Sequence, residues 1–265
     1  MKGSNLAILL VVVLATGLLS LYVVSALQPN GASVTPGTPQ TSPGNTTAPG
    51  QNNAMAGNIT ELTVVGKAVT QAWQGYFGNV SGTIELADAT GDVMYNWTGL
   101  TDPTGEVYAS TNATIAWANI QCFNFTANGS MATSGESAGA TNVAGMNLTQ
   151  LEDAFNIADD DGDGVDITFT DANSHAEFYT ANQQFSAGEC LSTDIFDSAG
   201  EGTDGTFEEV LLYEPTTASV VFTALLESDA SGFDSNPHDF EMLVLEDGHS
   251  GDGSSTTYYF FAEIE

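Results

Sequence analysis

From Leu6 to Leu27 the chain runs 22 residues without a charge. A helix of about 20 apolar residues crosses the hydrocarbon core of a bilayer, so this run reads as a membrane span. Lys2 and the α-amino group precede it, and the next cation along the chain is Lys67. Positive charge on the near side predicts a cytoplasmic tip at 1–5, a single transmembrane helix at 6–27, and everything after it outside the cell. Tyr22 falls near the outer interface, where amphipathic rings are favoured. A competing reading takes Val24-Ser25-Ala26 as a signal-peptidase site that releases the rest. The run is longer than the roughly 7–15 residues usual for a signal core, which favours the retained anchor.

Residues 28–57 change character. Pro29, Pro36, Pro39, Pro43 and Pro49 stand there among Thr, Ser, Gly and Asn, five of the eight prolines in the chain. Such a segment has no apolar face to bury, and it is expected to form an extended or disordered stalk. The remaining stretch, 58–265, is long enough for one extracellular domain with a substantial core.

Charge excludes several functions. Asp and Glu number 34 against two Lys and no Arg, for a net charge of −32. Nucleic-acid binding needs clustered Lys and Arg to displace counterions, so nucleic acid is excluded as a partner. No G-x-G-x-x-G and no G-x-x-x-x-G-K occurs, so nucleotides have no visible cradle. The acids are also unevenly spread, with seven in 1–151 and 27 in 152–265. The Asn-x-Ser/Thr sequons show the reverse distribution: Asn45, Asn58, Asn79, Asn96, Asn112, Asn124, Asn128 and Asn147 all precede residue 150. The expectation is that N-linked glycan hydrates the first half and carboxylate the second.

The periodicity of the domain is that of strands. Val80–Leu86 alternates, and Val93, Tyr95 and Trp97 fall on one face of a following strand after the Asp88–Asp92 turn. Further strands are expected at 106–110, 114–125, 207–213, 219–226, 240–245 and 256–264. Closely spaced turns between them predict a mainly β domain, an antiparallel β-sandwich. One short helix is expected at about 147–158, where Leu148, Leu151 and Phe155 make a stripe and Asn147 with Gln150 makes a capping box. Cys122 and Cys190, the two cysteines, are expected to form a disulfide outside a membrane.

The sharpest local motif is Asp159-Asp-Asp-Gly-Asp-Gly-Val-Asp166. Asp159, Asp161, Asp163 and Gly164 match positions 1, 3, 5 and 6 of a D-x-D-x-D-G calcium loop, with the Val165 carbonyl next in line and Asp166 as a further oxygen donor. The candidate cofactor is therefore Ca²⁺. Thr170 stands where an EF-hand needs a bidentate Glu, so a solvated acidic loop is the competing reading. Gly135-Glu-Ser137-Ala-Gly139 fits a nucleophile elbow, but it lies in a polar loop rather than after an apolar strand. His175, His238 and His249 are expected to be loop residues, and Trp73, Tyr76 and Phe77 core or edge residues rather than a sugar platform. No catalytic residue is assigned.

Several strings resemble a group of uncharacterised archaeal surface proteins: Trp73-Gln-Gly-Tyr-Phe-Gly-Asn-Val80, Tyr95-Asn-Trp97, Gly105-Glu-Val-Tyr-Ala109, Asn119-Ile-Gln-Cys122, Ser186-Ala-Gly-Glu-Cys190, Phe207–Tyr213 and Thr256–Phe260. The likeness covers most of 70–265. It implies a secreted or anchored envelope protein with both cysteines kept, and no activity. Lys2-Gly3-Ser4 also resembles the processing site of archaeal type IV pilins. Three functions are thus in view: a non-enzymatic, membrane-anchored glycoprotein in contact with itself, other envelope proteins or glycans; a cation-dependent adhesion module for glycan; and a pilin-like filament subunit.

Overall fold

The computed structural model describes residues 28–42, 48–98, 103–123, 146–158, 160–170, 175–247 and 255–264. Among these, the strands are β1 (Asn30–Gly31), β2 (Trp73–Gly78), β3 (Thr83–Ala87), β4 (Val93–Thr98), β5 (Gly105–Ser110), β6 (Gln121–Cys122), β7 (Phe178–Thr180), β8 (Gln183–Phe185), β9 (Ser192–Asp194), β10 (Glu208–Glu214), β11 (Ser219–Leu225), β12 (Ala230–Ser231), β13 (Pro237–His238), β14 (Phe240–Leu245) and β15 (Tyr259–Ile264). The helices are α1 (Leu148–Ala154) and α2 (Val165–Thr168). Every pairing is antiparallel. The protein is mainly β, as its periodicity indicates.

Its frame is a seven-stranded sheet in the order β1-β15-β5-β11-β10-β6, with β9 also on β10. Both faces are covered, so the middle strands read as near-continuous apolar runs rather than clean alternation. All seven residues of β10 are buried. Along β11, Phe222 and Ala224 enter one core while Val221 and Leu225 enter the other.

The first face carries the ribbon β2–β14, paired from Phe240↔Gly78 to Leu245↔Trp73, together with α1 and α2. Trp73 meets Phe222 edge-on with ring centroids 6.4 Å apart, and Tyr76 meets Phe260 edge-on at 5.2 Å. The outer edge of β14 needs partners for its backbone. The central sheet supplies them from side chains: Glu209 Oε2 accepts from Leu243 N at 2.8 Å, and Tyr258 donates its hydroxyl to Leu245 O at 2.8 Å.

The second face is covered by short pieces. A 3-10 turn at Trp117–Asn119 places Trp117 against Tyr108 and Phe261. The hairpin β7–β8 adds Phe178 stacked on Phe185 at 4.9 Å. Cys122 and Cys190 are bonded, as expected. Their position explains the tie: β9 and β6 lie end to end along β10, opposite Glu208–Val210 and Leu212–Tyr213. The disulfide fastens these two half-strands where they meet.

Some expectations are corrected. Strand 114–125 is instead the 3-10 turn followed by the two-residue β6, because Trp117 folds inward to fill the second core. The helix at 147–158 stops at Ala154, with Phe155 as its C-cap. Its capping box is present: Asn147 Oδ1 accepts from Gln150 N at 2.8 Å, and Gln150 Oε1 accepts from Asn147 N at 3.0 Å. The stretch 28–57, where described, is exposed and irregular except at its start. There Pro29 is buried, Asn30 and Gly31 pair with Ala262 and Phe261, and Ala32 N donates to Phe260 O at 2.9 Å. The unpaired edge of β15 offers backbone groups that this segment satisfies.

Candidate functional site

Leu6–Leu27, Asn45, Asn124, Asn128, Gly135–Gly139, Asp159 and His249 lie outside the described residues. No helix among the described residues is long and apolar enough to cross a membrane.

The acidic loop is tied down by the protein itself. Asp161 Oδ2 accepts from Ala158 N at 3.0 Å. Asp163 accepts the Thr70 hydroxyl at 2.5 Å on its carboxylate and the Trp73 indole at 2.6 Å on its carbonyl. Val165 is a buried core residue whose carbonyl accepts Phe169 N at 2.9 Å. Glu152 Oε1, from α1, takes Val165 N at 2.8 Å and Asp166 N at 3.2 Å and so caps α2. Burial raises the Glu152 pKa against the pull of these hydrogen bonds. Among the described residues no group of three or more His, Cys, Asp or Glu is arranged to hold a metal ion.

The described sequons differ in access. Asn58, Asn79 and Asn96 are exposed. Asn112 is half-buried, with its amide donating to Ser219 Oγ at 3.0 Å. Asn147 is buried as the cap of α1. His175 is buried, and it braces the disulfide loop: Nε2 accepts Cys190 N at 2.9 Å and Nδ1 donates to Ala176 O at 2.8 Å. Nε2 acts as acceptor only on a neutral ring, and burial lowers this imidazole's pKa accordingly.

The carboxylates of the second half do not all hydrate a surface, contrary to expectation. Glu208, Glu209, Glu214, Glu241 and Glu263 are buried in or beside the sheets. With almost no cations in the chain, backbone N–H groups take the place of salt-bridge partners. Glu208 accepts from Ala176 N at 2.8 Å and Gly205 N at 3.0 Å, Glu227 from Phe207 N at 3.1 Å, and Glu241 from Phe233 N at 3.0 Å. Burial pushes all three above the usual carboxylate range. Burial likewise pushes Glu209 well above that range, and its Oε1 meets no partner among the described residues.

Glu208 and Glu227 join further acids at one end of the central sheet, while Glu214 lies at the other end of β10. Glu106 and Glu263 stand opposite each other on β5 and β15. The Tyr108 hydroxyl lies 3.2 Å from Glu106 Oε2, 3.3 Å from Glu263 Oε2 and 3.2 Å from Thr180 Oγ1. Burial, then the charge of Glu106, pushes this phenol well above its ordinary range, so it stays a donor. Beside it a cleft of about 360 Å³ is lined by Glu106, Glu177, Glu208 and Glu227, with Phe178 and Leu225 as apolar walls. Such a cleft suits a cation or an amine more than an anion. The sequence reading missed it because an acid within an apolar strand, as in Glu208-Glu209-Val-Leu-Leu-Tyr, looks the same whether it faces core or water. Comparison with family models, curated proteins and solved structures finds no match to this chain.

Proposed function

We propose that this chain is a membrane-anchored, N-glycosylated protein of an archaeal cell surface. Its role is structural or one of contact, and it is not an enzyme. The observation that supports this most is the buried Cys122–Cys190 disulfide behind a 22-residue uncharged run. Disulfides of this kind persist outside the reducing cytosol. The ectodomain is read as a sandwich of unequal layers, with β2–β14 and the helices stacked on the larger sheet. Glycan on Asn58, Asn79 and Asn96 and the large net negative charge would keep it soluble and hydrated. The test is purification from the native membrane with N-terminal sequencing and intact mass. Recovery in the membrane fraction, heavier than 27.6 kDa and with the thiols oxidised, is expected. Recovery from cytosol, sugar-free and reduced, overturns the reading.

A further inference from the structure

We propose that the end of the central sheet where the chain enters rests on the bilayer, with the hairpin β3–β4 lying in the lipid interface. The proposal depends on the anchor reading above and names the face of the domain that meets the membrane. Only Gln28 and Pro29 separate Leu27, the end of the apolar run, from the paired residue Asn30. Three residue steps reach at most about 11 Å, so no stalk intervenes between anchor and domain. Direction follows from register. Asn30 is opposite Ala262 and Gly31 opposite Phe261, so the preceding residues run toward Glu263 and Ile264, the end of β15 that pairs with Glu106 and Gly105.

The hairpin leaves the body at that same end. A Cβ on Gly82, one residue before β3, would lie 2.5 Å from Ile264 Cδ1. Ile84 and Leu86 stand opposite Trp97 and Tyr95, forming one apolar face. Among the described residues that face is uncovered: Ile84 is 38 % exposed, Leu86 52 %, Tyr95 59 % and Trp97 50 %. A lone two-stranded ribbon is marginal in water, and one with four large apolar side chains on a bare face needs a cover. Near β2's last residue, Phe77 and Phe233 pack edge to face at 5.0 Å, both half-exposed. The shared position of an apolar run's end and a Trp/Tyr-bearing ribbon selects a lipid surface over other occupants. Indole and phenol are favoured at the level of the headgroups. Attachment of this kind is by burial, because a domain this anionic is repelled by anionic headgroups.

The full chain reconstituted in phosphatidylcholine vesicles tests this. Trp117 is buried and the Trp73 indole is bonded to Asp163 O, so Trp97 is the exposed reporter. Lipid carrying a nitroxide near the headgroup is expected to quench the emission that Trp97→Phe removes. The double variant Ile84→Ser/Leu86→Ser, judged folded by an unchanged melting curve, is expected to cut that quenching about twofold or more. A chain that floats with the vesicles while Trp97 stays open to aqueous iodide overturns the placement and leaves the anchor standing. Trp97 shielded from both quenchers in a dimer seen by light scattering overturns it in favour of a second copy. A chain that does not float refutes the anchor, and the proposal falls with it.

Discussion

The two faces of the central sheet are both buried, yet they are closed by different means. On the first face a six-residue ribbon and two helices bring Trp73, Phe169, Met242 and Val244 onto Phe222 and Leu211. On the second, a 3-10 turn and the three-residue strands β7 and β8 bring Trp117, Phe178 and Phe185 onto Tyr108 and Val221, beside the half-strands β6 and β9 at the edge of the sheet. A regular element covers much apolar surface for each loop it needs. Short pieces cover little, and each leaves termini to fasten. The cross-link lies on the side that needs fastening, which shows how burial and a covalent tie substitute for one another.

Truncation on the first face should have the largest effect. Phe222 is buried against Trp73, Phe169 and Tyr258, and Phe222→Ala is expected to lower stability by about 3–5 kcal/mol in denaturant unfolding. Removing the tie should act next and locally. Cys122→Ala with Cys190→Ala opens a loop of 68 residues and is expected to cost about 2–4 kcal/mol. Hydrogen exchange should then rise at β6, β7, β8 and β9 before it rises at β2 and β14. Equal acceleration on both faces would show that the disulfide serves the whole fold.

The buried acids sharpen the comparison through pH. Glu152, Glu208, Glu209, Glu227 and Glu241 all have pKa values raised by burial. A raised carboxyl contributes stability that is complete below its unfolded pKa and is lost as pH rises through the folded one. The melting temperature is therefore expected to fall as pH rises from about 4.5 toward 8. Glu214 acts in the opposite sense. Burial pushes it up, but hydrogen bonds from Thr217 and Thr216 outweigh that and hold it low, so its share is lost on acidification below about 4.5. Glu209→Gln keeps the acceptor for Leu243 N and removes the charge. It is expected to raise stability at pH 8 by on the order of 1–2 kcal/mol and to flatten the pH profile. A melting curve unchanged from pH 5 to 8 would refute this account.

Smaller effects are expected at the margins of the first face. Asn147→Ala removes the acceptor at the start of α1 and should cost about 1 kcal/mol. Ile84→Ser on the bare hairpin should change stability by less than about 0.5 kcal/mol, since it touches neither core.

Much of this architecture was legible in the residues. Strand Phe240–Leu245 falls where alternation places it, and the Asn147–Gln150 box announces α1. What misled was local ambiguity. Thr114–Phe125 has strand-like composition, but an indole seeking a core turned it into a 3-10 segment. The Asp-rich loop has calcium-like spacing, and only the fold adds that Glu152, from α1, accepts the Val165 and Asp166 backbone N–H groups. The cleft beside Glu106 and Glu208 was invisible, because the positions facing it come from five separate stretches.

Sequence alone determined the antiparallel, mainly β character, the uncharged run and the pairing available to two cysteines, because periodicity, length and count are local quantities. Only the tertiary structure decided that both faces of one sheet are buried, that backbone N–H groups rather than cations satisfy the buried carboxylates, and that the Pro-rich stretch begins docked on β15. Those outcomes depend on which backbone groups and side chains meet across long separations, and no local pattern encodes such meetings.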